Sequence, residues 1–124
     1  MSTAIEAIEV ETGAQPHAAV IWLHGLGADG SIFEPLVPAL RLPARLSVRF
    51  VFPHAPERPV TINLGMRMRA WYDIAELGGL REDELGIRAS QGLLEALVER
   101  ERARGIEARR IVLAGFSQGG AIAL

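Results

Sequence analysis

The chain has 124 residues, a formal net charge of −2, 49% hydrophobic residues and no cysteine. These values describe a core-forming chain of single-domain size, exclude disulfides and thiolate chemistry, and offer no basic stripe for nucleic acid or an anionic membrane. The N-terminal stretch MSTAIEAIEVET lacks the features of a secretion signal, and no apolar run approaches the roughly 18 residues that cross a bilayer. We therefore expect one cytoplasmic domain over residues 1–124, with no nucleic-acid partner and no membrane span.

Apolar runs and proline positions divide the first part of the chain into elements. The sequence predicts an edge strand over 5–10, a strand buried on both faces over Ala18–Leu23, a helix over 31–40 and a strand over 48–52. Ser31 and Glu34 have capping-box spacing at the start of the predicted helix. Three prolines and Gly65 predict a loop from 53 to 73.

The last third of the chain predicts helix, strand and helix. The clearest helix covers 83–104, with Ile87, Leu94, Leu97 and Val98 on its apolar face and Gly105 in the C′ position. Acidic residues at its start (Glu82, Asp83, Glu84) and arginines at its end (Arg100, Arg102, Arg104) complement the helix dipole. A strand over 110–116 and a helix from Ser117 follow. This alternation predicts an α/β fold with a mostly parallel sheet and helices on both faces.

The stretch GFSQG, from Gly115 to Gly119, has the G-x-S-x-G pattern between a predicted strand and a predicted helix. In a nucleophile elbow this arrangement lifts the serine hydroxyl off the strand end, and the glycines avoid side-chain clashes in the tight turn. The backbone amide of the following residue, Gln118, can then stabilise the negative oxygen that forms when serine attacks an acyl carbonyl. Ser117 is therefore the predicted nucleophile.

The stretch HGLGADG, from His24 to Gly30, permits two interpretations. Its G-x-G-x-x-G spacing after a strand resembles a dinucleotide-binding turn, but such a turn needs an acidic residue about 20 positions on, and none occurs between Glu34 and Glu57. A hydrolase with a nucleophile elbow instead needs a second amide donor from a loop after an earlier strand. We predict that Leu26 supplies this amide and that His24 fixes the turn.

Five motifs in order, HGLGADG, FPHAP, RPVTIN, MRAWYDI and GFSQGGA, resemble those of the phospholipase/carboxylesterase family, which includes the acyl-protein thioesterases. The resemblance covers essentially the whole chain. It implies an α/β-hydrolase fold, hydrolysis of small-molecule or acylated esters and thioesters without a metal or cofactor, a nucleophile at Ser117, and an oxyanion hole formed by the amides of Leu26 and Gln118. It also places the 53–73 loop near the acyl-binding groove, without a specific role for Trp71, Tyr72 or Asp73.

The residues that should activate the serine are missing from the pattern. An α/β-hydrolase triad runs Ser, then Asp or Glu, then His, and only QGGAIAL follows Ser117. His17, His24 and His54 all precede it. We therefore expect the N-terminal part of a hydrolase domain, truncated after the elbow, inactive alone, and completed by further sequence or by a second chain, such as a homodimer partner. A non-catalytic binding module of the same fold is the alternative.

Overall fold

A computed structural model describes residues 5–75 and 83–124 of the chain. The strands are β1 (Ala7–Glu11), β2 (Ala18–Leu23), β3 (Val48–Pro53), β4 (Glu57–Val60), β5 (Met66–Arg69) and β6 (Ile111–Gly115). The α-helices are α1 (Leu36–Ala39), α2 (Glu84–Ala103) and α3 (Gln118–Ala123), and short 3-10 turns lie at Gly30–Phe33, Thr61–Asn63 and Ala108–Arg110. Of the helices that are described, none is both long and apolar enough to cross a membrane.

The main sheet has the strand order β1-β3-β2-β6. β2 runs parallel to both β3 and β6, and β1 lies antiparallel to β3 at one edge. The register of the β2–β6 pair sets Leu23 opposite Gly115, so both strands end at the same edge of the sheet. The loop that begins at His24 and the turn that contains Ser117 therefore start side by side.

Hydrophobic clusters on the two faces of the sheet hold helical segments against it. On one face Ile21 and Leu23 of β2 pack with Leu94 and Leu97 of α2 and Ile122 of α3. On the other face the segment containing α1 covers β3, through the cluster Val37, Val48, Phe50 and Phe52. Helices on both faces of a mostly parallel sheet confirm the predicted α/β class. β2 is fully buried only on the first face, since Ala18, Val20 and Trp22 on the second are half-buried.

The helix predicted over 31–40 is wrong in its extent and in its cap. A 3-10 turn at Gly30–Phe33 precedes α1, which has only four residues. The cap is Asp29, whose carboxylate accepts hydrogen bonds from the backbone N–H and the hydroxyl of Ser31. Pro35 and Pro38 have no N–H to donate, so a continuous helix over 31–40 would lose its backbone hydrogen bonds at both positions.

The loop predicted over 53–73 is also wrong, because β4 and β5 form an antiparallel hairpin there. Its tip turns through Leu64 and Gly65, which have φ angles of 58° and 76°. The base is fixed by Asp73, whose carboxylate accepts from the N–H of Thr61 at 2.7 Å and from its hydroxyl at 2.6 Å. Proline is tolerated in such a two-stranded ribbon, since each strand has an unpaired edge.

α2 confirms the predicted helix. Asp83 is its N-cap, and the Asp83 carboxylate accepts a hydrogen bond from the N–H of Gly86 at 2.9 Å. Gly105 follows with a φ of 97°, as expected of a C′ glycine. Glu82, assigned to the acidic start of this helix, lies outside the described residues.

The arginines at the end of α2 do more than complement its dipole. Arg100 and Arg104 bind Glu9 of β1 at 3.1 and 2.8 Å. Glu101, which is fully buried, binds Arg104 at 2.9 Å and Arg49 of β3 at 2.8 Å. This charge cluster fastens α2 to the sheet, an outcome that the helix sequence by itself does not reveal.

Candidate active site

Ser117 lies in a strained turn between β6 and α3. Its φ of 54° and ψ of −117° place a non-glycine residue in a sparsely populated region of backbone space, which costs about 1–3 kcal/mol. The residue is exposed at the edge of the sheet where β2 and β6 end. Ser117 therefore lies in an exposed, strained turn between a strand and a helix.

Two glycines leave the space that this turn needs. A Cβ on Gly115 would lie 2.4 Å from the carbonyl oxygen of Gly119. A Cβ on Gly119 would lie 2.4 Å from the carbonyl oxygen of Leu23 and 2.5 Å from that of His24. Since no real Cβ approaches an atom closer than 3.0 Å, only glycine fits at either position. The start of α3 thus rests directly on the backbone that leads into the His24 loop.

The His24 loop also lies against the serine turn. A Cβ on Gly25 would be 3.6 Å from Cβ of Ser117 and 3.2 Å from the ring of Phe116, so the two backbones are in near contact. The N–H of Phe116 donates to the carbonyl of Leu23 at 3.0 Å and continues the β2–β6 ladder into this region. Within residues 5–75 and 83–124, the amides of Leu26 and Gln118 donate no hydrogen bond. Both amides that the sequence predicts as oxyanion donors are therefore without a hydrogen-bond acceptor among the described residues.

His24 is 1% exposed and uses both ring nitrogens. Nε2 accepts from the N–H of Ala55 at 3.0 Å, so the proton is on Nδ1, which donates to the carbonyl of Gly25 at 2.7 Å. Burial lowers the pKa of the imidazole and keeps it neutral, against a smaller opposing effect of the Gly25 hydrogen bond. His24 thus links the loop to the residues that follow β3 and is not free to act as a base.

The other two histidines, His17 and His54, lie just before β2 and just after β3. Nδ1 of His54 accepts from the N–H of Gly30 at 2.9 Å, and His17 is half-buried where β2 begins. No hydrogen bond joins Ser117 to a histidine in the part of the chain that is described. The same part contains no group of three side chains suited to hold a metal ion.

Trp71 is the residue of this region that the sequence reasoning missed. It is 1% exposed, its indole N–H donates to the carbonyl of His24 at 2.8 Å, and its backbone N–H donates to Oε1 of Gln118 at 2.8 Å. The Gln118 side chain also donates to the carbonyl of Tyr72 at 2.7 Å. The motif MRAWYDI was a signal that this segment matters, but its contacts depend on pairings across 47 positions of sequence.

The hairpin of β4 and β5 borders the His24 loop. The N–H of Gly27 donates to the carbonyl of Arg69 at 2.9 Å. A shallow depression on the hairpin is lined by Ile62, Asn63, Leu64, Met66 and Met68. A Cβ on Gly27 would lie 3.8 Å from the sulfur of Met68, so this mostly apolar surface comes close to the residue that follows Leu26.

Comparison with known proteins places this geometry in a family. Residues 5–124 match the model of the family described as phospholipase/carboxylesterase. Acyl-protein thioesterase 1 of Yarrowia lipolytica is 46% identical over 121 residues, which are 95% of this chain and 53% of that protein. Acyl-protein thioesterase 1 of Neurospora crassa is 47% identical over 118 residues, 90% of this chain and 48% of that protein. The chain thus spans about half the length of the curated relatives it matches.

A solved structure shows the same fold. The crystal structure of Zea mays acyl-protein thioesterase 2 superposes with a TM-score of 0.80 and 33% identity, over 95% of this chain and 48% of that one. The dinucleotide interpretation of HGLGADG, already weakened by the missing acidic residue, gains nothing from these matches. The chain has an α/β-hydrolase fold and belongs to the phospholipase/carboxylesterase family.

Proposed function

We propose that the whole protein is a serine hydrolase that cleaves carboxylic esters or thioesters through an acyl-enzyme on Ser117. The observation that carries this proposal is the strained Ser117 turn packed against the His24 loop, two segments whose Leu26 and Gln118 amides donate no hydrogen bond among the described residues. The relatives named acyl-protein thioesterase support the reaction class.

In this mechanism Oγ of Ser117 attacks the acyl carbonyl carbon and its proton passes to a base. The carbonyl oxygen becomes negative, and the amides of Leu26 and Gln118 stabilise it, each such donor contributing about 10²–10³-fold in kcat. Collapse of the tetrahedral intermediate expels the alcohol or thiol, which takes the proton from the base. Water, deprotonated by the same base, then attacks the acyl-enzyme and releases the acid and the serine.

We propose that the base and its acidic partner lie outside residues 1–124. The rings of His24 and His54 already serve backbone N–H groups, and the matched relatives are about twice as long as this chain. The missing residues then come from the same polypeptide or from a second chain, including a homodimer partner. Residues 1–124 alone are expected to be catalytically silent, because a serine hydroxyl is a weak nucleophile without a base.

For the substrate we propose a small-molecule ester or an acylated partner whose acyl chain lies along the hairpin depression. The side chains of Ile62, Leu64, Met66 and Met68 offer an apolar surface there. Met68 lies beside Gly27, so a chain held on this surface would end near the two amides. The reaction needs no cofactor.

The test is the Ser117→Ala variant of the whole protein, assayed with a short aryl ester and with a fluorophosphonate probe. Ser117→Ala should lower kcat by about 10⁶-fold, as for other serine hydrolases, at nearly unchanged stability. Residues 1–124 should gain activity only when the remaining sequence is supplied. A protein that keeps its activity after Ser117→Ala refutes the nucleophile assignment. A whole protein that neither reacts with the probe nor cleaves the ester is a binding module of the same fold.

A further inference from the structure

We propose that Trp71 is a positioning residue that holds the amides of Leu26 and Gln118 at a fixed separation. Trp71 hydrogen-bonds to one residue in each of the two segments that carry these amides. Its indole N–H binds the carbonyl of His24, two residues before Leu26, and its backbone N–H binds the side chain of Gln118. The inference rests on the proposed function for its kinetic consequence, but the geometry can be tested without it.

Trp71 thus forms a bridge between His24 and Gln118, and each end of this bridge is a short hydrogen bond. Both hydrogen bonds of Trp71 are 2.8 Å long, and the Gln118 carboxamide completes the second end by donating to the carbonyl of Tyr72 at 2.7 Å. The carboxamide therefore docks on the Trp71–Tyr72 backbone as a neighbouring strand would, through one donor and one acceptor. Since Gln118 also provides the predicted amide, its backbone N–H is restrained by its own side chain.

The bridge is itself anchored to the core. The hydroxyl of Ser90, a 1% exposed residue of α2, donates to the carbonyl of Trp71. The indole ring lies 5.2 Å from the His24 ring at an interplanar angle of 36°. Trp71 thus has all of its polar backbone and side-chain groups in hydrogen bonds, and each of them is buried.

A simple packing role makes a different prediction from a bridging role. Packing needs the aromatic body of Trp71, whereas bridging needs its indole N–H. Trp71→Phe keeps an aromatic ring but removes the donor to His24 together with part of the ring volume. Gln118→Met, which leaves Trp71 whole and breaks the other end of the bridge, separates the two roles. Trp22→Phe controls for the exchange of tryptophan for phenylalanine elsewhere in the fold, because Trp22 is a half-buried residue of β2 whose ring stacks on that of Phe33 with 5.1 Å between the ring centroids.

The kinetic signature follows from when the oxyanion exists. The negative oxygen appears only in the tetrahedral transition state, so a displaced amide lowers kcat and leaves KM nearly unchanged. Because a misplacement of about 1 Å can reduce a rate by about 10²-fold, we expect Trp71→Phe to lower kcat per active site by about 10- to 100-fold. A trifluoromethyl ketone, which forms an oxyanion with the serine, should lose affinity by the same factor.

The experiment compares wild type, Trp71→Phe and Trp22→Phe in the whole protein, with active sites counted by fluorophosphonate labelling. A second variant, Gln118→Met, breaks the other end of the bridge and should give the same loss of kcat and inhibitor affinity. Crystal structures of wild type and Trp71→Phe give the distance between N of Leu26 and N of Gln118, which we expect to change by more than about 0.5 Å. This distance decides the inference even if the wild type proves inactive, which would refute the proposed function alone. An unchanged distance, or equal kcat per active site in Trp71→Phe and wild type, overturns the inference.

Discussion

Gly119→Ala should damage both the fold and the reaction, because the space at this position is already occupied. The new Cβ would lie 2.4 Å from the carbonyl oxygen of Leu23 and 2.5 Å from that of His24, and 3.0 Å is the practical limit. The start of α3 must therefore move away from the His24 loop by at least about 0.6 Å. Overpacking of this kind costs about 1–3 kcal/mol of the free energy of unfolding. The same shift moves Gln118 and Ser117 relative to Leu26, so we expect kcat to fall on the order of tenfold.

The matched control is Gly92→Ala in α2, where a Cβ meets no atom within 4 Å. There the change removes backbone freedom from the unfolded chain and should stabilise the protein by about 0.5–1 kcal/mol, with unchanged kcat. Urea unfolding measures the stability of both variants in the whole protein, and ester hydrolysis per labelled active site measures kcat. The reasoning is refuted if Gly119→Ala keeps wild-type stability and kcat. It is also refuted if Gly92→Ala lowers stability and kcat as much as Gly119→Ala does.

Three further variants test other contacts of the whole protein. Leu26→Pro removes one proposed oxyanion donor and should raise the activation free energy of ester hydrolysis by about 2.7–4 kcal/mol. Leu26→Ala keeps the amide and is the control. Similar rates for the two variants would show that the amide is not used. Glu101→Ala removes one partner of the buried Arg49 guanidinium, which keeps Glu11 at 2.9 Å, and should lower the free energy of unfolding in urea by about 1.5–3 kcal/mol, whereas a loss below about 0.5 kcal/mol would contradict this role. The hydrogen bond from Arg104 holds the pKa of Glu9 below its ordinary value, so its contribution is present above about pH 4.5 and is lost as the pH falls through the folded-state pKa. Glu9→Gln should therefore flatten the acid side of the stability profile, measured by thermal unfolding from pH 7 to pH 3, and an unaltered profile would count against this pair.

The elements that local sequence specifies could be predicted, and those that depend on distant contacts could not. β2, β3, α2 and β6 have periodicity or apolar runs that identify them, and their ends agree with the structure to within one or two residues. The hairpin of β4 and β5 was missed because Pro56, Pro59 and Gly65 have the composition of a loop, and the pairing register of Val60 with Met66 is not visible in that composition. The cap of the first 3-10 turn was missed because Asp29 and Ser31 are both good capping residues, and only the backbone geometry decides between them.

The candidate site divides in the same way. The two turns could be predicted because each is formed by consecutive residues. Their glycines, Gly25 in one turn and Gly115 and Gly119 in the other, indicate where the backbone approaches a neighbouring segment closely. The side chains that join the turns could not be predicted, because Trp71 and Gln118 are 47 positions apart and the G-x-S-x-G pattern does not specify the residue at position 118. Similarly, the sequence of α2 does not show that Glu101 is buried, because its partner Arg49 belongs to β3.

The pairing of β2 with β6 has a consequence for how the proposed active site assembles during folding. Leu23 and Gly115 face each other across 92 positions of chain, whereas Val60 and Met66 of the hairpin are only six apart. Closing the longer loop carries about 2 kcal/mol more entropic cost, so the β2–β6 ladder is expected to form after the hairpin and α2. The serine and the His24 loop come together only when that ladder closes. Reactivity towards a serine-directed probe should therefore appear late in refolding, after most of the helical circular-dichroism signal has returned. The time at which labelling begins would then report when the last long-range pairing forms.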